Sequence, residues 1–202
     1  VWHLPLNTMS VWSIANDAPG YFDMLSHPSY DAYWQRFDIS RRHSSFETPA
    51  LHLTGWYDSL LVGTLRNFEG LRARSATETA RRGQRLVVGP WTHARPSAAS
   101  TSIGDVDFGP EAGLDSQALM ESWFRHWLKG EGNAPLAEAP VKLFIMGENV
   151  WREETEWPLA RAVPTPFFLR EDRALAREPS GEDGARDVYT YDPWNPVPSP
   201  TL

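Results

Sequence analysis

Two short apolar runs separated by an amphipathic helix constrain the fold of this chain more than any other feature. The first run, TPALHLTG, covers residues 48–55, and the second, QRLVVGP, covers residues 84–90. Between them, a set of mostly apolar residues recurs at steps of three and four, which places the set on one face of a helix: Leu60, Leu61, Thr64, Leu65, Phe68 and Leu71. A strand, a helix and a second strand in this order are typical of a parallel sheet covered by helices, so we predict an α/β fold.

Further helices are predicted on both sides of this unit. Residues 20–45 mix aromatic and polar side chains at roughly helical spacing, which indicates one or two short helices. The clearest helix covers residues 115–130, with Asp115 as its cap and Gly130 as its end. Its apolar residues are expected on one face: Leu119, Trp123, Phe124 and Trp127. We interpret His126 in this helix as a flanking residue without a catalytic role.

The helical pattern stops before residue 141. A short linker covers residues 131–140, and the chain then changes to short strand candidates such as VKLFIMG and DVYTYDP, separated by turn residues. We therefore predict an α/β region at residues 46–130, preceded by helices within residues 1–45, and a separate β-rich domain at residues 141–202.

Composition excludes several classes of partner. The formal net charge is −7, and the 19 Lys and Arg residues form no basic stripe, so we expect no nucleic-acid partner. No run of apolar residues is long enough to span a membrane, and we expect no membrane partner. The chain has no cysteine, which excludes disulfides and thiolate metal sites and favours a reducing compartment such as the cytoplasm.

No cofactor or metal is expected. The histidines lack zinc-binding spacing, and the chain has no glycine-rich phosphate loop. Asp105 and Asp107 alternate in GDVDFG, but a calcium loop needs more oxygen ligands than this segment offers.

Asp58 and His93 each follow a predicted parallel strand. Ligands bind at the carboxyl edge of open parallel sheets, because loops and helix N-termini converge there. A carboxylate beside an imidazole fixes the ring tautomer and stabilises the imidazolium, as in a catalytic acid and base pair. From spacing alone, a second interpretation is open: Asp58 caps the following helix, and His93 is an ordinary loop residue.

The amino-acid sequence of these two segments resembles that of a known family. The segment GWYDSLLVGTLRNFEGLR (residues 55–72), followed by RLVVGPWTHA (residues 85–94), is similar to the end of the hydrolase domain in one group of serine hydrolases. This group is the cocaine esterase-like and X-prolyl dipeptidyl-peptidase-like family, which includes cephalosporin acylases and α-amino acid ester hydrolases.

The resemblance extends over nearly the whole chain. The segment HPSYDAYWQRFD (27–38) looks like the exit from the helical cap of that family, so residues 1–45 are expected to end the cap. The segment IGDVDFGPEAGLD (103–115) looks like the loop after the catalytic histidine, and WFRHWLKG (123–130) like the next helix. The stretch from residue 139 is similar to the start of a C-terminal jelly roll. The implied fold is the end of an α/β-hydrolase domain followed by part of a jelly roll.

The resemblance implies roles for five residues. Asp58 is expected to be the triad acid and His93 the general base. Trp56, Tyr57 and Trp91 are expected either to contact the substrate or to pack as ordinary aromatic residues, and both alternatives stay open. The implied substrates are small esters, amides or short peptides, and a homo-oligomer is possible.

The nucleophile of such an enzyme is missing from this sequence. A serine hydrolase carries its serine on a sharp turn, commonly G-x-S-x-G, and no such motif occurs here. We therefore expect the chain to be a fragment without activity, with the serine and the oxyanion hole before Val1 and the jelly roll continuing beyond Leu202. The alternative is a carbohydrate-binding or partner-binding module on an inactive hydrolase scaffold.

Overall fold

The structure, a computed structural model, describes residues 19–93, 99–170, 174–179, 181, 186 and 188–196. The α-helices of these ranges are, in chain order, α1 (Pro19–Ser26), α2 (Ala32–Gln35), α3 (Leu61–Arg74), α4 (Glu78–Arg82) and α5 (Ser116–Phe124). The strands are β1 (Leu51–Gly55), β2 (Arg85–Gly89), β3 (Ser102–Ile103), β4 (Val106–Asp107), β5 (Val141–Ile145), β6 (Val150–Glu154), β7 (Phe168–Leu169) and β8 (Leu175–Ala176). Tighter 3₁₀ helices cover Ile39–Ser45 and Pro110–Ala112, and a π-helical turn covers Arg125–Lys129.

A four-stranded mixed sheet in the order β1-β2-β5-β6 organises the chain. Strands β1, β2 and β5 are parallel, whereas β6 is antiparallel to β5. All residues of β2 are buried, as expected for a central strand of a parallel sheet. The strand, helix and strand pattern is therefore confirmed, and the α/β fold with it.

The domain boundary predicted at residue 141 is wrong in one respect. Strand β5 pairs with β2 from Leu86↔Val141 to Val88↔Leu143, and β6 pairs with β5 in turn. Residues 141–154 therefore extend the α/β sheet instead of starting a separate one. The error has a physical cause: a short apolar run of residues has the same pattern whichever sheet its hydrogen bonds join.

Both faces of the sheet carry apolar side chains. On one face, Phe68 of α3 packs against alternate residues of β2 and β5, namely Leu86, Val88, Val141 and Leu143. On the other face, Phe144 packs against Phe108 and Ala112 from the segment before α5. Because neighbouring strand residues point to opposite faces, Leu143 and Phe144 divide the core between the two sides.

Helices occur on both sides of the first strand-helix-strand unit, as predicted. Asp115 caps α5 by accepting a 2.9 Å hydrogen bond from the N–H of Ala118, and Gly130 ends the helical segment with a φ of 70°. The single apolar face predicted there is wrong for Phe124, which is 55% exposed whereas Trp123 is 5% exposed. Successive helical residues lie about 100° apart around the axis, so these two rings cannot share a narrow face.

The last part of the chain has little regular structure among the described residues. A short pairing of β7 with β8 is present, but residues 188–193, within the strand candidate DVYTYDP, form no strand. Their larger side chains, such as Tyr189 and Tyr191, are exposed. No helix within the described ranges combines the length and apolar character needed to cross a membrane.

Candidate active site

The sheet brings the two predicted site residues together. The register of β1 and β2 pairs Gly55 with Gly89, so both strands end at the same edge, and Asp58 and His93 lie in the loops that follow. The Nδ1 atom of His93 lies 3.1 Å from Oδ1 of Asp58. The parallel arrangement predicted that both residues lie at this edge, and the family resemblance predicted that they form a pair.

Main-chain hydrogen bonds join the two loops. The N–H of Trp56 donates to the carbonyl of Gly89 at 2.8 Å, and the N–H of Tyr57 donates to the carbonyl of Trp91 at 3.1 Å. A Cβ atom on Gly55 would lie 1.9 Å from the Trp91 carbonyl oxygen, so only glycine fits at this crossing. The backbone therefore holds the two loops in close contact.

The Asp58 carboxylate accepts three hydrogen bonds. Oδ1 accepts from the N–H of Leu60 at 2.8 Å as well as from His93, and Oδ2 accepts from the hydroxyl of Thr54 at 3.1 Å. Burial alone would raise the pKa of Asp58, but the bonds from Leu60, His93 and Thr54 together hold its pKa below the ordinary value. The group is therefore held as a carboxylate at neutral pH.

The capping interpretation of Asp58 holds only in part. The residue in the N-cap position of α3 is Leu60, whose side chain forms no capping bond. Asp58 instead forms a turn ahead of the helix: its side chain accepts from Leu60 N–H, and its carbonyl accepts from Leu61 N–H at 3.1 Å. The same carboxylate also faces His93, which capping does not require.

His93 is accessible from solvent. Its side chain is 65% exposed, whereas that of Asp58 is 8% exposed. An anionic partner at Nδ1 favours the tautomer with its proton there, which leaves the Nε2 lone pair free to accept a proton. The pair can thus act as a base backed by a buried anion.

The two tryptophans near the pair are held by main-chain hydrogen bonds. The indole N–H of Trp91 lies 3.1 Å from two carbonyl oxygens, those of Ser100 and Ala112, and that of Trp56 lies 2.7 Å from the Phe144 carbonyl oxygen. These are the contacts that ordinary packing requires. Tyr57 differs, since it is 46% exposed. Substrate contact stays a prediction for these residues, and Tyr57 is the most accessible of them.

The serines near the pair have varied positions. Ser59 directly follows the acid and is exposed, as is Ser102 in β3. Ser10, Ser13 and Ser97 lie outside the described residues. No group of three or more metal-ligating side chains occurs among the residues that the structure describes.

Sequence reasoning missed two polar contacts around α3. One is the bond from Thr54 to Asp58. The other involves His43, which is 1% exposed and lies between Asn67 and Arg74. The sequence signal for Thr54 was weak but present: it is a hydroxyl residue in an otherwise apolar strand, shortly before the acid. Nothing in the sequence around His43 indicated its partners.

Comparison with known proteins supports the hydrolase interpretation. Residues 8–95 match the family described as X-Pro dipeptidyl-peptidase (S15 family). The chain is 35% identical to the cocaine esterase of Rhodococcus sp. (strain MB1 Bresler) over 188 residues, which cover 87% of this chain and 31% of the esterase.

Two solved structures share the fold. An aminopeptidase from a marine sediment archaeon, Thaumarchaeota archaeon, aligns with a TM-score of 0.72 and 25% identity, covering 96% of this chain and 32% of that one. An α-amino acid ester hydrolase labelled with selenomethionine aligns with a TM-score of 0.70 and 22% identity, covering 95% of this chain and 33% of that one.

These alignments cover most of this chain but only about a third of each of the three relatives. The sequence match to the esterase and the S15 family, together with the shared fold, agrees with the resemblance found in the sequence. The chain belongs to the cocaine esterase-like and X-prolyl dipeptidyl-peptidase-like family of α/β-hydrolases.

Proposed function

We propose that the protein to which this chain belongs hydrolyses an ester or amide bond through an acyl-enzyme, with Asp58 as the triad acid and His93 as the general base. The observation that carries this proposal is the 3.1 Å contact between His93 Nδ1 and Asp58 Oδ1 at the carboxyl edge of the parallel sheet. The serine nucleophile and the oxyanion-hole donors are proposed to precede Val1 in the complete protein.

In the proposed chemistry, His93 takes up one proton and releases it again in each half of the reaction. Nε2 of His93 takes the proton of the serine hydroxyl as its oxygen attacks the substrate carbonyl carbon, and Asp58 stabilises the resulting imidazolium. The imidazolium then gives this proton to the leaving alcohol or amine. In the second half, His93 takes a proton from water, which attacks the acyl-enzyme, and returns it to the serine oxygen.

The electrostatics of the pair suit these roles. The lowered pKa of Asp58 keeps the carboxylate ionised, so that it can stabilise a positive charge on His93. The difference in exposure also suits the proposed roles. Asp58 is buried, whereas His93 is exposed, and only the base has to reach the substrate and solvent.

The proposed substrate class is a small-molecule ester, an amide or a short peptide. Its support is the S15 family match and the names of two relatives, an esterase at 35% identity and an aminopeptidase at 25% identity. For the domains, we propose that residues 1–45 end a helical cap, that residues 46–154 end the hydrolase domain with β5 and β6 in its sheet, and that a jelly roll begins after β6.

A fluorophosphonate probe tests the proposal, because it bonds covalently to activated serines. The 202-residue chain and the complete gene product are each treated with the probe, and the adduct is detected by intact mass. We expect an adduct on the complete protein that forms at least about a hundredfold more slowly in His93→Ala. His126→Ala is the matched control, since the ring of His126 hydrogen-bonds the Gly132 carbonyl and packs edge-on against Trp127, with no hydrogen bond or ring contact to Asp58 or His93 among the described residues.

Other outcomes would change the assignment. An adduct on the 202-residue chain itself would mean that one of its own serines is the nucleophile. If neither protein reacts, or if His93→Ala reacts as fast as the wild type, the catalytic role of the pair is wrong, and a binding module on an inactive scaffold becomes the better hypothesis.

A further inference from the structure

Among the described residues, only Thr54 donates a hydrogen bond to Oδ2 of Asp58, the carboxylate oxygen that does not face His93. Thr54 lies next to the last residue of β1 and pairs with Val88 of β2. The residue is 4% exposed, and its hydroxyl lies 3.1 Å from Oδ2 of Asp58. The hydroxyl thus belongs to the rigid sheet, whereas the carboxylate belongs to the loop that follows.

Two of the three hydrogen-bond donors bind one oxygen of the Asp58 carboxylate, and the third binds the other oxygen. Leu60 N–H and His93 both bind Oδ1, so neither of them holds the opposite oxygen. Rotation about the Cβ–Cγ bond moves the two oxygens together, and a bond at each end of the carboxylate opposes this rotation. Thr54 supplies the bond at Oδ2, and the Oδ1 lone pair stays directed at the imidazole.

The choice of threonine at this site is not explained by packing. A β-branched residue is favoured in a strand, but valine would give the same shape and would bury no hydroxyl. A buried hydroxyl must find a partner, and a main-chain carbonyl would satisfy it equally well. Here the partner is the side chain that contacts His93.

We propose that Thr54 is a positioning residue, which holds the Asp58 carboxylate in the orientation that orders His93. This inference rests on the proposed function, because it assigns Thr54 a role in the action of the same acid and base. Thr54 touches neither His93 nor a substrate in this scheme and acts only through Asp58.

The test compares Thr54→Val, which keeps the shape and removes the hydroxyl, with Thr54→Ser, which keeps the hydroxyl. Thr64→Val on α3 is the matched control, since the Thr64 hydroxyl donates only to a helix carbonyl, that of Leu60. In the complete protein, we expect Thr54→Val to slow fluorophosphonate labelling roughly five- to thirtyfold. Thr54→Ser and Thr64→Val should stay within about twofold of the wild type.

A spectroscopic readout separates positioning from stability. The carboxyl carbon of Asp58 is followed by NMR as the pH is lowered, with urea unfolding of the same variants as the stability control. Loss of the Thr54 hydroxyl removes a bond that lowers the pKa of Asp58, so the titration should move to higher pH in Thr54→Val and return in Thr54→Ser. The titration thus shows that the hydroxyl binds the carboxylate, and the rate shows whether it positions the acid: a role in stability alone would lower the urea midpoint and leave the labelling rate of the folded protein at the wild-type value.

The outcomes distinguish this inference from the proposed function. If Asp58→Asn labels as fast as the wild type, the proposed acid is wrong, and the inference about Thr54 falls with it. If Asp58→Asn is slow but Thr54→Val matches the wild type in rate and titration, the positioning role alone is overturned. Should Thr54→Val fail to fold, Thr54→Ala gives the same comparison with Thr54→Ser.

Discussion

Two histidines of this chain have partners of opposite charge. His93 lies at the exposed edge of the sheet and faces a carboxylate, Asp58, at 3.1 Å. His43 is buried between the 3₁₀ helix and α3, and its Nδ1 atom lies 2.7 Å from the guanidinium of Arg74. The two imidazoles are chemically the same group, so their partners and burial decide what each can do.

The partner of His43 fixes its ring in one form. A guanidinium has only donors, so Nδ1 of His43 must accept from Arg74, and Nε2 then donates to Oδ1 of Asn67 at 3.0 Å. The partner of His93 has the opposite effect, because a carboxylate accepts the Nδ1 proton and stabilises a positive ring.

The difference separates a structural histidine from a candidate base. A buried imidazole with both nitrogens occupied is suited to joining two elements. An exposed imidazole with one nitrogen on an anion is suited to moving protons. We therefore expect substitutions of His43 to affect stability and those of the Asp58 and His93 pair to affect activity.

The largest effect is expected for Asp58→Asn. The amide removes the anion that stabilises a charged His93, so kcat/KM of the complete protein for an activated ester should fall about 10³–10⁴-fold. Ester hydrolysis followed by absorbance measures this. Asp105→Asn, in the exposed turn between β3 and β4, should leave the rate unchanged. A loss of less than about tenfold for Asp58→Asn would contradict the role of the acid.

For stability, we expect His43 to matter more than His93. His43→Ala opens a cavity and leaves Arg74 and Asn67 without their shared partner, so it should lower the free energy of unfolding by about 2–4 kcal/mol. His93→Ala removes an exposed ring and should cost less than about 1 kcal/mol. Urea unfolding of the 202-residue chain measures both variants. Equal costs would show that burial of His43 does not stabilise the fold.

A pair of glycines on α3 sharpens the assignment of His43. A Cβ atom at Gly70 would lie 2.0 Å from His43 Nδ1, whereas one at Gly63 would meet nothing within 4 Å. Gly70→Ala should therefore destabilise the chain by about 1–3 kcal/mol, because the ring has to move. Gly63→Ala should stabilise it by about 0.5–1 kcal/mol through helix propensity. Thermal or urea unfolding of the two variants gives the comparison, and the same sign for both would contradict the packing of His43 on α3.

The smallest expected effect concerns acid. The pKa of Asp58 is lower in the folded chain than its ordinary value of 3.8, so its contribution to stability is present above that value and is lost as the pH falls through the folded pKa. The free energy of unfolding should thus fall with acid by more in the wild type than in Asp58→Asn. Urea unfolding between neutral pH and pH 3 tests this, and parallel curves for the two proteins would contradict it.

Much of the site followed from the sequence, because it depends on the main chain. Parallel strands place their carboxyl ends at one edge, so two polar residues after neighbouring strands were expected to meet, and Asp58 and His93 do. The contact of His43 with Arg74 was missed since it depends on side-chain packing between two elements, for which the sequence has no periodic signal.

The fold was predicted with similar limits. The existence of β1, α3, β2 and α5 was predicted correctly, because each has a strong periodic pattern or turn signal. The pairing of β5 with β2 was not predicted, since a run of apolar residues does not indicate which strand will be its neighbour. Helix α4 was missed, although Thr77 caps it by accepting from Ala80 N–H at 3.1 Å, and a threonine ahead of a glutamate was a readable start signal.

The main-chain bonds between the two site loops have a consequence for divergence within such proteins. Trp56 and Tyr57 are tied to the end of β2 through their backbone N–H groups, and Gly55 allows the close crossing. The spacing of Asp58 and His93 is thus set by atoms that every residue possesses. The exposed side chain at position 57 can therefore change without moving the main chain that separates Asp58 from His93, whereas the Trp56 side chain is tied to the Phe144 carbonyl.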